Sequence, residues 1–111
     1  MHVTLNPIIF MPEQNDKVVH LPEQNMFVIE LEGEKAYLEY EQAKDGTFMI
    51  MHTEVPPAHG GKGHAASLAE AALLYAEETN MKVMPYCTYM ATYLRRHQER
   101  YKDLASPEFN F

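Results

Sequence analysis

An apolar β-rich run, a proline pair, a cluster of glycines and an alanine-striped run follow one another between residues 47 and 80. That succession constrains the fold more than any other feature of the chain. Thr47–Val55 is rich in β-formers and almost continuously apolar at its start, so it reads as a central strand buried on both faces. Pro56 and Pro57 end it, because proline cannot donate to a sheet ladder. Gly60, Gly61 and Gly63 then open a run in which Ala65, Leu68, Ala69, Ala72 and Ala76 fall at i, i+3, i+4, i+7 and i+11. That spacing predicts a helix with one stripe of small residues, suited to lying close on a sheet. Thr79-Asn80 closes it, since asparagine tolerates the left-handed backbone.

Around this unit the rest of the fold is readable in outline. Lys17–His20, Met26–Leu31 and Lys35–Glu41 read as strands, and Ala43-Lys44-Asp45-Gly46 is a hairpin turn. Lys82-Val83-Met84 is a further short strand, cut by Pro85. A second helix is expected over Thr88–Arg100, with Met90, Leu94 and Tyr93 inward. A strand–helix–strand crossover within one sheet runs parallel. The expectation is an α+β domain with one mixed, mostly antiparallel sheet and a strand–helix–strand–helix C-terminal half. Residues 17–105 form that domain, 1–16 an N-terminal tail or added edge segment, and 106–111 a frayed tail. Met11-Pro12-Glu13-Gln14-Asn15 reappears as Leu21-Pro22-Glu23-Gln24-Asn25; two copies are too few for a solenoid.

Composition narrows the function classes. The 111 residues suit one domain, and no run approaches the roughly 20 apolar residues of a membrane span. The N-terminus lacks a basic region followed by an apolar run, and the single cysteine, Cys87, has no internal partner. Both features point to a reducing, cytoplasmic setting. The formal charge is -7. Residues 1–54 carry ten acids and three bases, while residues 55–111 carry six of each. Such acidity argues against nucleic-acid binding. Lys82, Arg95, Arg96, Arg100 and Lys102 nevertheless form a local basic group, either a solvated helix face or a contact for a small polyanion. The histidines show neither helical i, i+4 pairing nor a clustered carboxylate, so no metal is expected.

The glycine turn is where chemistry is suggested. Unpaired N–H groups at a helix start, with the helix dipole, make an anion site. Glycines let the backbone approach a phosphate, and Lys62 adds positive charge. A tight strand–helix connection would use the same glycines. A Walker A loop fails, because Gly61-Lys62 has Pro56 where the first glycine belongs and Gly63 where Ser or Thr belongs. Gly61-Lys62-Gly63-His64-Ala65-Ala66 fits a relaxed dinucleotide fingerprint. The next strand, Lys82-Val83-Met84-Pro85-Tyr86, lacks the acid that binds ribose.

A third pattern is more specific. His52–Gly63, followed by Pro85-Tyr86-Cys87 and Tyr93-Leu94-Arg95-Arg96-His97, resembles the small single-domain members of the GNAT N-acetyltransferase superfamily over about residues 17–104. The superfamily's Arg/Gln-x-x-Gly-x-Gly/Ala aligns with Gly60-Gly61-Lys62-Gly63-His64-Ala65. Gly60 replaces the usual Arg or Gln, and His64 stands where an apolar residue is common.

The resemblance implies binding of acetyl-coenzyme A and transfer of its acetyl group to an unidentified amine. A non-catalytic coenzyme A-binding module, as sensor or carrier, is the alternative. It implies that Thr53 and Val55 offer backbone groups to the pantetheine arm. Gly60, Gly61, Lys62, Gly63, His64 and Ala65 would surround the pyrophosphate, with Cys87, Tyr93 and Arg96 along the cofactor. Glu54 and His52 are base candidates, Tyr93 an acid candidate with Tyr89 a weaker one, and Cys87 a candidate covalent acceptor. Each has a plainer reading as a surface carboxylate, a core aromatic or histidine, or an inert thiol. The expected assembly is a monomer or weak homodimer.

Overall fold

The structure is a computed structural model that describes residues 8–11 and 16–111, with side-chain surroundings from Lys17 onward. Its six strands are β1 (Ile8–Met11), β2 (Asp16–Leu21), β3 (Met26–Leu31), β4 (Glu34–Gln42), β5 (Phe48–Glu54) and β6 (Val83–Pro85). They form one sheet in chain order. The first five run antiparallel to their neighbours, and β6 joins β5 in parallel. The helices are α1 (His64–Glu78), α2 (Thr88–Arg96) and α3 (Gln98–Tyr101). This is an α+β fold with a mixed, mostly antiparallel sheet.

Residue chemistry accounts for the layers. In β4, Ala36, Leu38 and Tyr40 are buried while Glu39 and Glu41 are exposed, the period of two expected for a half-buried strand. The alanine stripe of α1 meets that inner face. Leu68, Ala69, Ala72 and Ala76 are fully buried against a core that includes Phe27, Leu38, Phe48 and Ile50. Small side chains let the helix lie close, and enlarging one would overpack the layer by about 1–3 kcal/mol. Asn80 closes the helix region at φ 59°, the left-handed backbone anticipated there.

Three expectations are corrected. β5 is not buried on both faces: Phe48 and Ile50 are buried, but Met51, His52 and Glu54 are exposed. The register explains it. Glu39 pairs with His52 and Tyr40 with Ile50, which leaves Met51 as a bulge. A bulge adds one residue and flips the facing of those after it. Thr53, paired with buried Leu38, therefore faces the helices, and His52 and Glu54 face the other way.

The second helix is not continuous to Arg100. It ends at His97, whose backbone (φ -123°, ψ 36°) starts α3 on a new course. Nor does the tail fray. The Ser106 N–H donates to the Val83 carbonyl at 2.7 Å, the Arg95 guanidinium donates to the Asn110 carbonyl at 2.9 Å, and it lies over the Phe109 ring at 5.0 Å. At the other terminus Ile8–Met11 pairs with β2 as the sheet edge. The first copy of the Pro-Glu-Gln-Asn repeat lies outside the described residues. The second forms a 3-10 turn closed by Asn25 in the left-handed region.

Candidate functional site

β5 and β6 share only a short ladder. Phe48 pairs with Val83, Met49 with Met84 and Ile50 with Pro85, and the last bond of the series runs from the Tyr86 N–H to the Ile50 carbonyl at 2.8 Å. Beyond it β5 continues to Glu54 while the other chain turns into α2. Pro85 has no N–H to extend the ladder, and the Met51 bulge twists β5 at the same level. The strands part, and β5 presents an unpaired backbone edge to the gap. Such an edge can accept an extended ligand bearing amide groups.

Cys87 and Thr53 stand at this gap, Cys87 Sγ 3.5 Å from Thr53 Oγ1. Cys87 is half-buried and is the N-cap residue of α2. The first intrahelical bond of α2 runs from the Ala91 N–H to the Cys87 carbonyl at 3.1 Å. The amides of Tyr89 and Met90 precede it, so the thiol sits beside a helix start with donors and positive dipole.

His52 and Glu54 occupy the opposite face, joined by a contact of 3.0 Å from Nε2 to Oε1. Both are half-exposed. Tyr37 flanks His52, with ring centroids 5.9 Å apart. The four catalytic candidates are thus divided by the sheet, with the acid–base pair on one face and the thiol on the other.

Tyr93 is directed elsewhere. It is buried, and its hydroxyl donates to Glu70 Oε2 of α1 at 3.1 Å while its ring stacks on His97 at 4.2 Å. Burial, followed by the Glu70 charge, drives its pKa far above the ordinary tyrosine value. Its proton is engaged in helix packing. Tyr89, one turn earlier, is 36% exposed and stands two residues after Cys87 in the first turn of α2. Burial and then Glu70 raise its pKa, so it stays protonated at neutral pH. The Glu70 contact depends on how α1 and α2 pack, which no local sequence pattern encodes.

The turn before α1 has the geometry of an anion cradle. Gly61 (φ 75°) and Gly63 (φ 87°) both adopt left-handed backbone, and Gly63 is the N-cap of α1 with no side chain capping it. The first α1 bond is from the Ser67 N–H to the Gly63 carbonyl at 3.0 Å. The amides of Ala65 and Ala66 come before it and face outward along the helix axis. Gly60 is extended at φ -69°, and a Cβ there would meet only the Pro57 carbonyl oxygen at 3.5 Å. Lys62 lines a cleft with Glu30, Leu31, Glu32, His59 and His64. Its charge therefore faces the acidic end of β3.

A second cleft of about 320 Å³ lies between α1 and α2, lined by Ala66, Glu70, Tyr89, Thr92, Tyr93, Arg96 and His97. Among the described residues no three His, Cys, Asp or Glu side chains converge as metal ligands, and no helix is long and apolar enough to cross a membrane.

Comparison with known proteins accords with this geometry. Residues 26–104 match the model of the family described as GCN5-related N-acetyl-transferase. Protein NATD1 of Xenopus tropicalis is 33% identical over 88 residues, covering 78% of this chain and 81% of that protein. The human Protein NATD1 is 34% identical over 83 residues, covering 73% of this chain and 74% of its own. A GCN5-like protein of Staphylococcus aureus, solved in solution by NMR, superposes with a TM-score of 0.63 at 25% identity, covering 80% of this chain and 86% of that one.

Proposed function

The chain belongs to the GCN5-related N-acetyltransferase family, and on that footing we propose that it binds acetyl-coenzyme A and transfers the acetyl group to an amine. The observation that carries this reading is the coincidence of two features on consecutive elements. A parted β5–β6 pair ends at Ile50 and Pro85, and a glycine-capped helix start follows β5 directly. The gap suits an extended amide-bearing arm, and the helix start suits its pyrophosphate. The donors fit without side-chain help, since Gly61 and Gly63 clear the approach.

The residues divide the chemistry. The backbone from Gly61 to Ala65 holds the pyrophosphate, and Thr53 and Val55 border the arm. Cys87 Sγ attacks the thioester carbonyl carbon, the new S–C bond forms and the coenzyme's C–S bond breaks. The Cys87 proton ends on the departing sulfur, with the Tyr89 phenol as relay. The amides of Tyr89 and Met90 stabilise the oxyanion as it develops. The acceptor amine then attacks the acetyl group on Cys87 from the other face of the gap. The His52–Glu54 pair accepts the amine proton, and Cys87 leaves as the thiolate and is reprotonated. The net result is one acetyl group moved from sulfur to nitrogen.

The test is a calorimetric titration with acetyl-coenzyme A, with intact mass spectrometry on the same mixture. Saturable binding and one acetyl adduct, absent in Cys87→Ser, are expected. Binding and amine turnover without an adduct would replace the covalent route by direct attack. Binding without turnover would make the chain a coenzyme A-binding module, and no binding at millimolar ligand would end the reading.

A further inference from the structure

The face of the sheet turned away from the helices carries a groove of about 380 Å³ that the cofactor contacts do not use. Its floor is Met49 and Met84, paired across β5 and β6. Their neighbours Phe48, Ile50, Val83 and Pro85 are buried, so alternation puts both methionines on the outer face. Tyr86 stands at one end, 57% exposed and level with the gap through its N–H bond to the Ile50 carbonyl. The hairpin turn at residues 43–47 stands at the other end, and Pro107 and Glu108 of the tail form a side wall. That wall is fixed by the Ser106 N–H on the Val83 carbonyl and by Arg95 on the Asn110 carbonyl.

The groove leads to the acid–base pair. The bulge leaves Met51 and His52 on the same outer face as Met49, and Met51 is 39% exposed. Glu39 pairs with His52 and Glu41 with Met49, so two residues of strand separate His52 from the groove floor. Two more separate Met49 from Thr47, and the whole run of four residues measures roughly 14 Å. Its middle is apolar, and its far end is anionic. The Thr47 N–H donates to Asp45 Oδ1 at 3.0 Å and holds that carboxyl below its ordinary pKa. Lys82, the cation among the lining residues, donates its ammonium to the Asp103 carbonyl in an adjoining cleft that Glu77 also lines. The charges left to the groove are those of Asp45 and Glu108.

We propose that this groove holds the acceptor and that the acceptor is a long linear diamine. One amine lies at His52–Glu54, the methylene chain crosses Met84 and Met49, and the second amine, as an ammonium, meets Asp45 and Glu108. This rests on the reading that the chain transfers an acetyl group to an amine with His52–Glu54 as the base. Methionine side chains adapt to a flexible alkyl chain. The carboxylates give the distal ammonium charge-assisted hydrogen bonds, which are the stronger kind. Only the amine at His52–Glu54 is acylated. Turned end for end, the mono-acetylated product offers the carboxylates a neutral amide, so a second round is slow.

The experiment is calorimetric titration of the full chain with decamethylenediamine, decylamine and tetramethylenediamine, followed by turnover of the same amines with acetyl-coenzyme A. Decamethylenediamine matches the length of the run and should bind about tenfold more tightly than either of the others. The double variant Asp45→Asn, Glu108→Gln should bring its advantage over decylamine to about one. Glu78→Gln, at an exposed carboxylate of α1, should leave that advantage intact. Unchanged melting temperatures would show that both variants are folded. Turnover of the long diamine should stop at the mono-acetylated product. Equal affinities for decamethylenediamine and decylamine, or a ratio unmoved in the double variant, overturn the inference and leave acetyl transfer standing. Preferential binding without acetylation of any amine upholds the diamine site and overturns the transfer reading alone.

Discussion

Cys87 Sγ and Thr53 Oγ1 lie 3.5 Å apart across the gap where β5 and β6 separate. The contact joins an N-cap thiol to a strand residue that faces the helices only because Met51 bulges. In the proposed first step the hydroxyl can donate to sulfur as negative charge moves onto and off it. Thr53→Val keeps the shape and removes that donor. Adduct formation on Cys87 should slow about tenfold, with acetyl-coenzyme A affinity unchanged, since one such hydrogen bond is worth about 1 kcal/mol or slightly more. Quenched-flow intact mass spectrometry measures the rate, and an unaltered rate would remove Thr53 from the chemistry.

The two phenols of α2 should separate cleanly. Tyr93 donates to Glu70 and stacks on His97, so Tyr93→Phe loses a packing bond. The expected cost is about 1 kcal/mol of stability in chemical denaturation. Turnover should change little. Tyr89→Phe should leave stability nearly unaltered and lower turnover about 100-fold, the lower end of the range for loss of a proton-transfer group. The reverse pattern would return the acid role to Tyr93.

Much of this could be read from the chain, and the exceptions share a cause. Runs of β-formers bounded by turn residues marked β2 to β5, and helical periodicity marked the alanine stripe, because both are local patterns. The glycine cluster itself located the turn, whose left-handed backbone only glycine adopts readily. The bulge at Met51 was hidden because it is a property of the β4–β5 register, and Phe48–Met51 is continuously apolar up to it. The turn of Tyr93 toward Glu70 and the docking of Ser106 on Val83 join residues 23 positions apart, and no local pattern encodes either. The break at His97 had no proline or glycine to announce it.

Gly60 gives a gain-of-affinity prediction. Its backbone is extended, and an added Cβ meets only ordinary contact with the Pro57 carbonyl oxygen. A longer side chain therefore fits without strain. Gly60→Arg should tighten acetyl-coenzyme A binding about tenfold by adding a guanidinium beside the pyrophosphate. Gly60→Gln should give a smaller gain, and raised salt should erode the arginine's benefit first. Calorimetry at two ionic strengths would check both. Unchanged affinity in Gly60→Arg would mean that the phosphate group does not sit at this turn.

His20 makes stability depend on pH on the acid side. Its Nε2 lies 2.6 Å from the Tyr40 hydroxyl, and its ring stacks on Phe27 at 4.2 Å and meets Tyr75 edge-on at 4.5 Å. Burial among these rings holds its pKa below the ordinary 6.5. The unfolded chain therefore takes up a proton at a pH where the folded chain does not. The contribution of neutral His20 is complete above about pH 6.5, declines as the pH falls through that value, and is gone below the folded pKa. Tyr40 contributes on the alkaline side. Burial, then Tyr75, pushes its phenol up to about 12, so its contribution holds below about pH 10 and is lost as the pH rises toward that raised value. Melting temperature should fall between pH 7 and 5 in the wild type. In His20→Gln, which keeps a polar partner for Tyr40 but cannot titrate, the slope over that window should flatten. Equal slopes would assign the acid sensitivity to another histidine.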